Sequence, residues 1–443
     1  MGCAAVDMQI MTSSIKPVEN NLKQQQTSTH PVEKVTALGL GVVVILYLAH
    51  ALPLYFYNVA LPAILRHQGV DLRWIGMLSL LYIPWAFKFF WAPYIDRFYS
   101  KKLGKRKTWL LFTQIALVLG VVALALTQFD YGLGVFIIVG LWISTFAATQ
   151  DIAIDGYTVE RLSESEYRLG SMAQSMGVAL GSMIGGAATL WLYQYYGWKT
   201  ALICLAAMTA LTMFAVFFIK EDNEEHAISK PIPTLKKAFK RKEILWALLL
   251  IVCYRVVEAP AMAMLNPMLI DQKWSLSQIG VLMSVIGAGV GLLAAVTAAF
   301  LLKKIDATKL LIWAGWGRTF LYALIGTAVI LGWLDQWHLL LGVFVVTMLA
   351  IRYIAMTSLY AYFMQTSSKE QAGTDFTILV CFELLVYFIG GAASGFLAKS
   401  LGYGNFYLVL AIASIVSVIT SQIIISKIKS QIKPHTTSKV IQD

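Results

Sequence analysis

The sequence carries little charge. Asp, Glu, Lys and Arg make up only 13% of its 443 residues, whereas soluble domains carry about 25%. Apolar residues reach 58%, and the mean hydropathy is +0.69. No fold in water could bury this much apolar surface, so lipid has to be the solvent for much of the chain. The composition therefore excludes an ordinary soluble domain.

The sequence also lacks the motifs of nucleotide and metal chemistry. No Walker A motif, glycine-rich phosphate loop, HExxH motif or nucleophile elbow occurs. The cysteine spacing fits neither a metal centre nor a disulfide framework, and the four cysteines are Cys3, Cys204, Cys253 and Cys381. These absences argue against ATP hydrolysis, against an enzyme and against a resident metal or cofactor. They leave an ion gradient, or the gradient of the solute itself, as the energy source for any transport.

The net charge is +11, which could suggest a nucleic-acid partner. The basic residues lie between apolar stretches rather than on one polar face, so nucleic acid is not expected. With residues 1–34 placed in the cytoplasm, the tails and alternate loops hold about 26 of the 35 basic residues. This asymmetry predicts that both termini are cytoplasmic.

Twelve apolar stretches are long enough to cross a bilayer as helices. They occupy roughly residues 35–58, 74–95, 108–128, 133–156, 169–193, 200–219, 244–270, 278–302, 310–332, 337–362, 374–397 and 405–426. We number them spans 1 to 12. The predicted organisation is a disordered cytoplasmic tail (1–34), a six-helix bundle (35–219), a cytoplasmic linker (220–243), a second six-helix bundle (244–426) and a cytoplasmic tail (427–443).

The two halves of the chain resemble each other. The run Ile184-Gly-Gly-Ala-Ala-Thr189 recurs as Ile389-Gly-Gly-Ala-Ala-Ser394, and Gly197 recurs at the same offset as Gly402. Such matches in register predict an all-α membrane protein of two related six-helix halves. The major facilitator fold has this arrangement, with a pseudo-two-fold axis along the membrane normal.

Ionisable residues inside apolar spans are costly to insert, so each is a functional candidate. Eight lie in the spans, with His50 as a weaker ninth: Lys88, Asp151, Asp155, Arg255, Glu258, Arg318, Arg352 and Glu383. A water-lined passage between two helix bundles would explain why these charges exist.

In the first half, Asp151 and Asp155 lie four residues apart and share one helix face. Lys88 and Arg161 are their expected partners. Asp151 is a candidate proton carrier, while Asp155, nearer the cytoplasmic end, is expected to act in a gate. Lys88 either binds the solute or extends to the headgroups. Tyr55 either lines a cavity or anchors span 1 at the membrane interface.

In the second half, Arg255 and Glu258 are three residues apart and form either an ion pair or a site in a helix kinked by the prolines that follow. Arg352 and Glu383 have uncharged residues at the matching positions of the first half, which favours roles in binding or coupling. Arg318 lies on a peripheral span and is expected to be structural.

Three segments of the first half resemble one branch of the major facilitator superfamily. They are the run from Ala60 to Leu81, the run from Pro84 to Arg97, and Ala148-Thr-Gln-Asp-Ile-Ala-Ile-Asp-Gly156. The branch contains siderophore permeases of the rhizobactin and pyochelin type, muropeptide permeases of bacterial cell-wall recycling, and acetyl-CoA transporters. The superfamily's loop motif is present in altered form, with Asp96-Arg97 conforming to it and Gly104-Lys-Arg-Lys107 following. The resemblance implies a cytoplasmic gate, for which the candidates are Asp96, Arg97, Asp155 and Arg161.

The run Leu-Pro-Ala-Ile-Leu-Arg-x-Gln-Gly-Val, residues 61–70, resembles the siderophore permeases most. The resulting hypothesis is a monomeric permease of the bacterial inner membrane that imports a ferric siderophore, or another anionic solute, together with protons. Substrate binding is assigned to Arg352, Arg255, Lys88 and Tyr55, and proton coupling to Glu383, Glu258 and Asp151. The alternatives are a muropeptide permease and a membrane sensor that does not transport.

Overall fold

The computed structural model describes residues 36–68, 77–127, 133–219, 221 and 232–432. The predicted tail at residues 1–34, residues 433–443 of the tail predicted at 427–443, and most of residues 220–231 lie outside the described residues, while the last helix continues through residues 427–432. Every regular element in the described ranges is a helix, so the predicted all-α class is confirmed. The helices from Ala37 onward form one compact unit.

The helices fall into the twelve predicted spans. Those of the first half are Ala37–Tyr55, Phe56–Ala60 and Leu61–His67 in span 1; Met77–Tyr82, Ile83–Phe87 and Lys88–Phe90 in span 2, continued past it by Ala92–Arg97; Lys105–Leu126 in span 3; Leu133–Arg161 in span 4; Tyr167–Gly181 and Ser182–Ala188 in span 5; and Thr189–Thr212 with Phe214–Phe217, which complete span 5 and form span 6.

The second half follows a short linker helix, Leu235–Phe239. Its helices are Lys242–Arg255, Glu258–Ala263 and Leu265–Asp271 in span 7; Leu276–Gly280, Val281–Ile286 and Gly287–Leu301 in span 8; Ala307–Ile330 in span 9; His338–Thr366 in span 10; and Ala372–Ile432, which forms spans 11 and 12. Short helices at Glu164–Glu166, Trp333–Gln336 and Lys369–Gln371 lie in the connections.

The repeat seen in the sequence marks matching breaks in the helices. Gly197 separates span 5 from span 6 with φ 79°, and Gly402 separates span 11 from span 12 with φ 71°. Residues with a Cβ rarely adopt this left-handed conformation, so glycine is needed at both turns. The chain therefore reverses direction at equivalent positions of the two halves.

Length and composition alone identify fewer spans than twelve. Eight helices of the described chain pass such a test, or nine when the bent pair in span 7, with its 43° break, is counted once. Span 2, which is divided into short helices, and span 9 (Ala307–Ile330) do not pass, and spans 5 and 6 pass together as one long element. The charges and helix breaks that weaken the hydropathy signal also hold the candidate site.

Each half has its own apolar core, and the halves meet along a few spans. Span 5 contacts spans 8 and 10, and span 11 contacts spans 2 and 4. Within the first half, Gly177, Gly181 and Gly185 of span 5 lie directly against Tyr47, Ala51 and Leu52 of span 1. Close backbone contact of this kind is a main source of helix association in lipid. Added side chains at these glycines would force the two spans apart.

Candidate functional site

The first half contains a buried charge cluster, which we call the first-half cluster: Lys88, Asp151, His50 and Asp155. Lys88 of span 2 is fully buried and donates to Asp151 of span 4. His50 of span 1 places Nε2 3.3 Å from the other Asp151 carboxylate oxygen, and its ring lies 5.6 Å from that of Trp85. Lys88 therefore forms a buried ion pair rather than extending to the headgroups.

Asp155 lies one turn beyond Asp151 in the same cluster. It accepts hydrogen bonds from the Tyr47 hydroxyl at 2.9 Å and from Gln174 Nε2 at 3.3 Å. In the described part of the chain its second carboxylate oxygen has no hydrogen-bond partner. The structure thus places Asp155 beside Asp151 in the first-half cluster.

A second network lies at the end of the bundle nearest the linker, which we call the linker end. Asp96 accepts hydrogen bonds from the Thr374 backbone N–H at 2.7 Å and from its hydroxyl at 2.6 Å, at the start of span 11. Arg106 lies 2.8 Å from Asp96 and also binds Glu160, which Lys105 contacts at 2.7 Å. This network joins the two halves at the linker end.

Burial disfavours ionisation of Asp96, but the charges of Arg106 and Lys105 and the two donors of Thr374 outweigh it. Together they hold the pKa of the Asp96 carboxyl below its usual value. Of the other two gate candidates, Arg97 is exposed beside Phe98 and Arg161 is half-buried at the end of span 4. Sequence reasoning recognised the basic run at 105–107 but missed Glu160.

The second half contains a larger cluster, the second-half cluster: Arg255, Glu258, Glu383, Arg318 and Arg352. Arg255 of span 7 binds Glu258 on its own span and Glu383 on span 11. Glu258 also lies 3.4 Å from Arg352 Nε and 3.8 Å from an Arg318 terminal nitrogen. Three guanidinium groups therefore surround one carboxylate.

The three arginines differ in how far their donors are used. Arg318 donates to the Tyr254 carbonyl at 3.0 Å and to two serine hydroxyls of span 12, which fits a structural role. Arg255 is held by two carboxylates. Within the described ranges, no hydrogen bond engages Arg352, whose side chain is 29% exposed against 4% for each of the other two. Arg352 is therefore the arginine of this cluster that can bind a solute.

Half-buried tyrosines from both halves surround Arg352, and we call them the tyrosine belt: Tyr55, Tyr82, Tyr353 and Tyr387. The guanidinium lies 5.5 Å from the Tyr387 ring, and Tyr55 interacts electrostatically with Arg352, Tyr82 and Tyr353. Tyr82 donates to Asn58 at 2.6 Å and packs against Phe388 of span 11 at 5.7 Å. A cation ringed by aromatic groups thus lies at the junction of the halves.

Tyr360 of span 10 lies between the two clusters. It lies within electrostatic range of Glu383 in the second half and of Asp151 and Asp155 across the interface. Sequence reasoning missed this residue because it carries no charge. The one available signal is that Tyr360 occupies the position matching Asp155, in the register that aligns Gly197 with Gly402.

Comparison with known proteins gives a family and a set of relatives. The Major Facilitator Superfamily model matches residues 43–317. A protein named anhydromuropeptide permease from Escherichia coli K12 is 25% identical over 386 residues, covering 85% of this chain and 77% of its own length. A putative transporter AmpG 3 from Rickettsia prowazekii is 25% identical over 356 residues, covering 75% of this chain and 83% of its own length.

Solved structures agree on the fold. The Escherichia coli fucose:proton symporter FucP superposes with a TM-score of 0.64 at 13% identity, over 88% of this chain and 99% of its own. The human organic anion transporter MFSD10 superposes with a TM-score of 0.65 at 15% identity, over 88% of this chain and 100% of its own. At these identities the likeness concerns the arrangement of helices alone.

Proposed function

The chain belongs to the Major Facilitator Superfamily, and from that premise we propose that it is a proton-coupled permease for an anionic solute of the anhydromuropeptide type, in a bacterial inner membrane. The observation that carries the proposal is Arg352, whose partly exposed side chain makes no hydrogen bond in the described part of the chain and lies at the junction of the halves. Both chain termini are proposed to lie in the cytoplasm.

The names of the relatives favour one of the two solutes considered from the sequence. Those at 25% identity over most of the chain carry the names anhydromuropeptide permease and AmpG, and nothing in the comparisons supports the siderophore prediction. The resemblance of residues 61–70 to siderophore permeases was too short to separate members of one branch. The muropeptide alternative therefore replaces the siderophore as the proposed solute.

The chemistry of a muropeptide suits the groups around Arg352. Its peptide carries carboxylates, which a guanidinium binds in a two-pronged geometry. Its sugar rings have apolar faces that can pack on aromatic side chains, and Tyr55, Tyr353 and Tyr387 lie near the guanidinium. Solute sites of this kind combine aromatic walls with a few placed polar groups.

Proton coupling is assigned first to Glu383. One of its oxygens is held by Arg255 and the other has no hydrogen-bond partner in the described part of the chain. Glu258 is compensated by three arginines and is assigned to holding them in place. Asp151 and His50 form a second candidate proton site in the first half.

Alternating access requires the linker end to open and close. The Asp96–Thr374 hydrogen bonds join the halves there, and Lys369 adds a bond to the Leu162 carbonyl at 3.3 Å. Rocking of one half against the other would break these bonds and expose Arg352 to the opposite side. Asp96 is accordingly proposed as the central gate residue.

Uptake into proteoliposomes tests the proposal. The purified protein is reconstituted with an inward-directed proton gradient and offered a radiolabelled disaccharide anhydromuropeptide or a ferric siderophore. We expect the muropeptide to accumulate above its outside concentration and to lose accumulation when the gradient is collapsed. Accumulation of the siderophore instead, or of neither solute, would refute the proposed substrate class. Lys303→Gln, an exposed change, is the matched control.

A further inference from the structure

The second part of the linker is fastened to the turn between spans 10 and 11. The Thr234 backbone N–H donates to Gln371 at 3.3 Å, and Lys237 pairs with Glu370. Arg241 pairs with Asp375 and donates to the Thr366 carbonyl at 2.8 Å. We call residues 234–242 the strap. Four contacts therefore order the strap against the second half.

The same turn is one side of the gate at the linker end. Thr374, which precedes Asp375, gives both its backbone N–H and its hydroxyl to Asp96 of the first half. The strap and the first half thus hold consecutive residues at the start of span 11. A ligand that fixes or displaces the strap would act through Asp375 on its neighbour Thr374, which closes the gate with Asp96.

The outer face of the strap is both basic and aromatic. Lys236, Phe239 and Lys240 are exposed, and their spacing places them on one face of the short helix. Ala238 on the other side is fully buried. Phe239 leaves 42% of its surface uncovered between two lysines. Lys242, also exposed, is the first residue of the helix Lys242–Arg255, so the strap directly precedes the predicted membrane span 7.

A ring flanked by lysines at the end of a membrane span fits the headgroup region of a lipid bilayer. The ring can enter the boundary of the acyl chains while the lysine ammonium groups reach the phosphates. The other two basic side chains of the segment, Lys237 and Arg241, are already paired with carboxylates. Three cations and one aromatic ring therefore remain for an anionic partner.

We propose that the strap binds anionic phospholipid headgroups through Lys236, Lys240 and Lys242, and that this binding steadies the Asp96–Thr374 contact. Near an anionic surface each lysine contributes about a fivefold factor to binding. The three together give a factor on the order of 100, enough to distinguish membranes by their charge. The proposal stands apart from the identity of the solute, because it concerns only the strap and the gate.

Hydrogen exchange in nanodiscs tests it. The full-length protein is placed in discs of phosphatidylcholine alone or of phosphatidylcholine with phosphatidylglycerol, without solute. In the anionic discs we expect amides of the strap, and those at the start of span 11, to exchange roughly fivefold more slowly. Equal exchange of the strap in both discs would overturn the proposal, and a change confined to the strap would overturn its link to the gate.

Two sets of variants sharpen the test. The triple variant Lys236→Gln/Lys240→Gln/Lys242→Gln should lose the difference between the two kinds of disc. The matched control Lys101→Gln/Lys102→Gln alters two exposed lysines between spans 2 and 3 and should keep it. If both variants lose the difference, general surface charge explains the effect and the strap has no special role. If the triple variant keeps it, the lysines are not the lipid ligands.

Discussion

The two halves of the molecule use one repeated scaffold for different chemistry. In the register that aligns Gly197 with Gly402, His50 of the first half matches Arg255 of the second, and both contact carboxylates across spans. Histidine ordinarily changes its charge between pH 5 and 8, whereas arginine is always charged. The same position is thus titratable in one half and permanently cationic in the other.

The charge clusters around His50 and Arg255 also differ between the two halves. The first-half cluster is sealed, with Lys88 fully buried against Asp151. The second-half cluster has three arginines for two glutamates and leaves Arg352 partly exposed. The first half therefore offers a sealed candidate proton site, whereas the second half combines the anion site proposed at Arg352 with the proton site proposed at Glu383. The repeat fixes the positions of the helices in both halves. Different residues at equivalent positions then give the two halves different chemical properties.

The largest expected contrast between the halves is in the stability lost when His50 or Arg255, which occupy matching positions, is replaced. Arg255→Gln removes the partner of two buried carboxylates and should destabilise the protein by about 3–5 kcal/mol. His50→Gln leaves Asp151 paired with Lys88 and should cost less than about 1 kcal/mol. Thermal unfolding in detergent measures both. Similar melting temperatures for the two variants would contradict the division between a permanently charged and a titratable position.

Arg352→Gln should affect binding more than stability, because the side chain is partly exposed and its donors are unused. We expect affinity for an anionic muropeptide to fall on the order of 100-fold, as when one partner of a buried charge pair is lost. Arg318→Gln should show the reverse, with lower stability and nearly unchanged affinity in the folded fraction. Equilibrium binding to purified protein distinguishes them, and equal losses of affinity would place Arg318 in the solute site.

The two glutamates of the second-half cluster are expected to differ in their role in proton coupling. Glu383→Gln should abolish accumulation driven by a proton gradient and spare counterflow exchange, which needs no net proton movement. Glu258→Gln should reduce expression and stability instead, because it leaves three arginines uncompensated. Both modes of transport are measured in the same proteoliposomes. Gradient-driven uptake that survives in Glu383→Gln would remove this residue from the coupling step.

The smallest effect concerns pH. The pKa of Asp96 is lowered in the folded protein, so its gate contact is fully present above the unfolded aspartate pKa of about 3.9 and is lost only as pH falls below that value. The gate should therefore not change between pH 5 and 8. Any change of a few-fold in counterflow exchange over that range should come from the first-half cluster, and His50→Gln should flatten it. A profile flattened by Asp96→Asn instead would contradict this assignment.

Much of the fold followed from the sequence. Hydropathy located the spans, and the repeated glycine motifs predicted related halves whose breaks at Gly197 and Gly402 the structure contains. The division of span 2 into short helices was not predicted, although Pro84 and Pro93 each begin one of its segments. Local spacing also offered the ion pair of Arg255 with Glu258 as one of two interpretations, because residues three apart on a helix are neighbours, and the structure contains this pair.

Contacts between spans were harder to predict. The pairing of Arg255 with Glu383, the Arg106–Glu160 contact and the place of Tyr360 depend on how each helix is rotated about its axis. In a membrane protein both the lipid and the interior are apolar, so hydropathy scarcely fixes that rotation. For the same reason the sequence did not reveal that Asp155 accepts hydrogen bonds from Tyr47 and Gln174 in the buried cluster.

We propose that Arg352 binds the carboxylate of an anionic solute at the junction of the halves. The most direct measurement is a cycle of four dissociation constants, for the original protein and Arg352→Gln, each with a muropeptide and with the same muropeptide amidated at its peptide carboxylates. The account predicts that amidation weakens binding to the original protein on the order of 100-fold and hardly changes binding to the variant. Equal losses in both proteins would show that Arg352 does not contact the carboxylate.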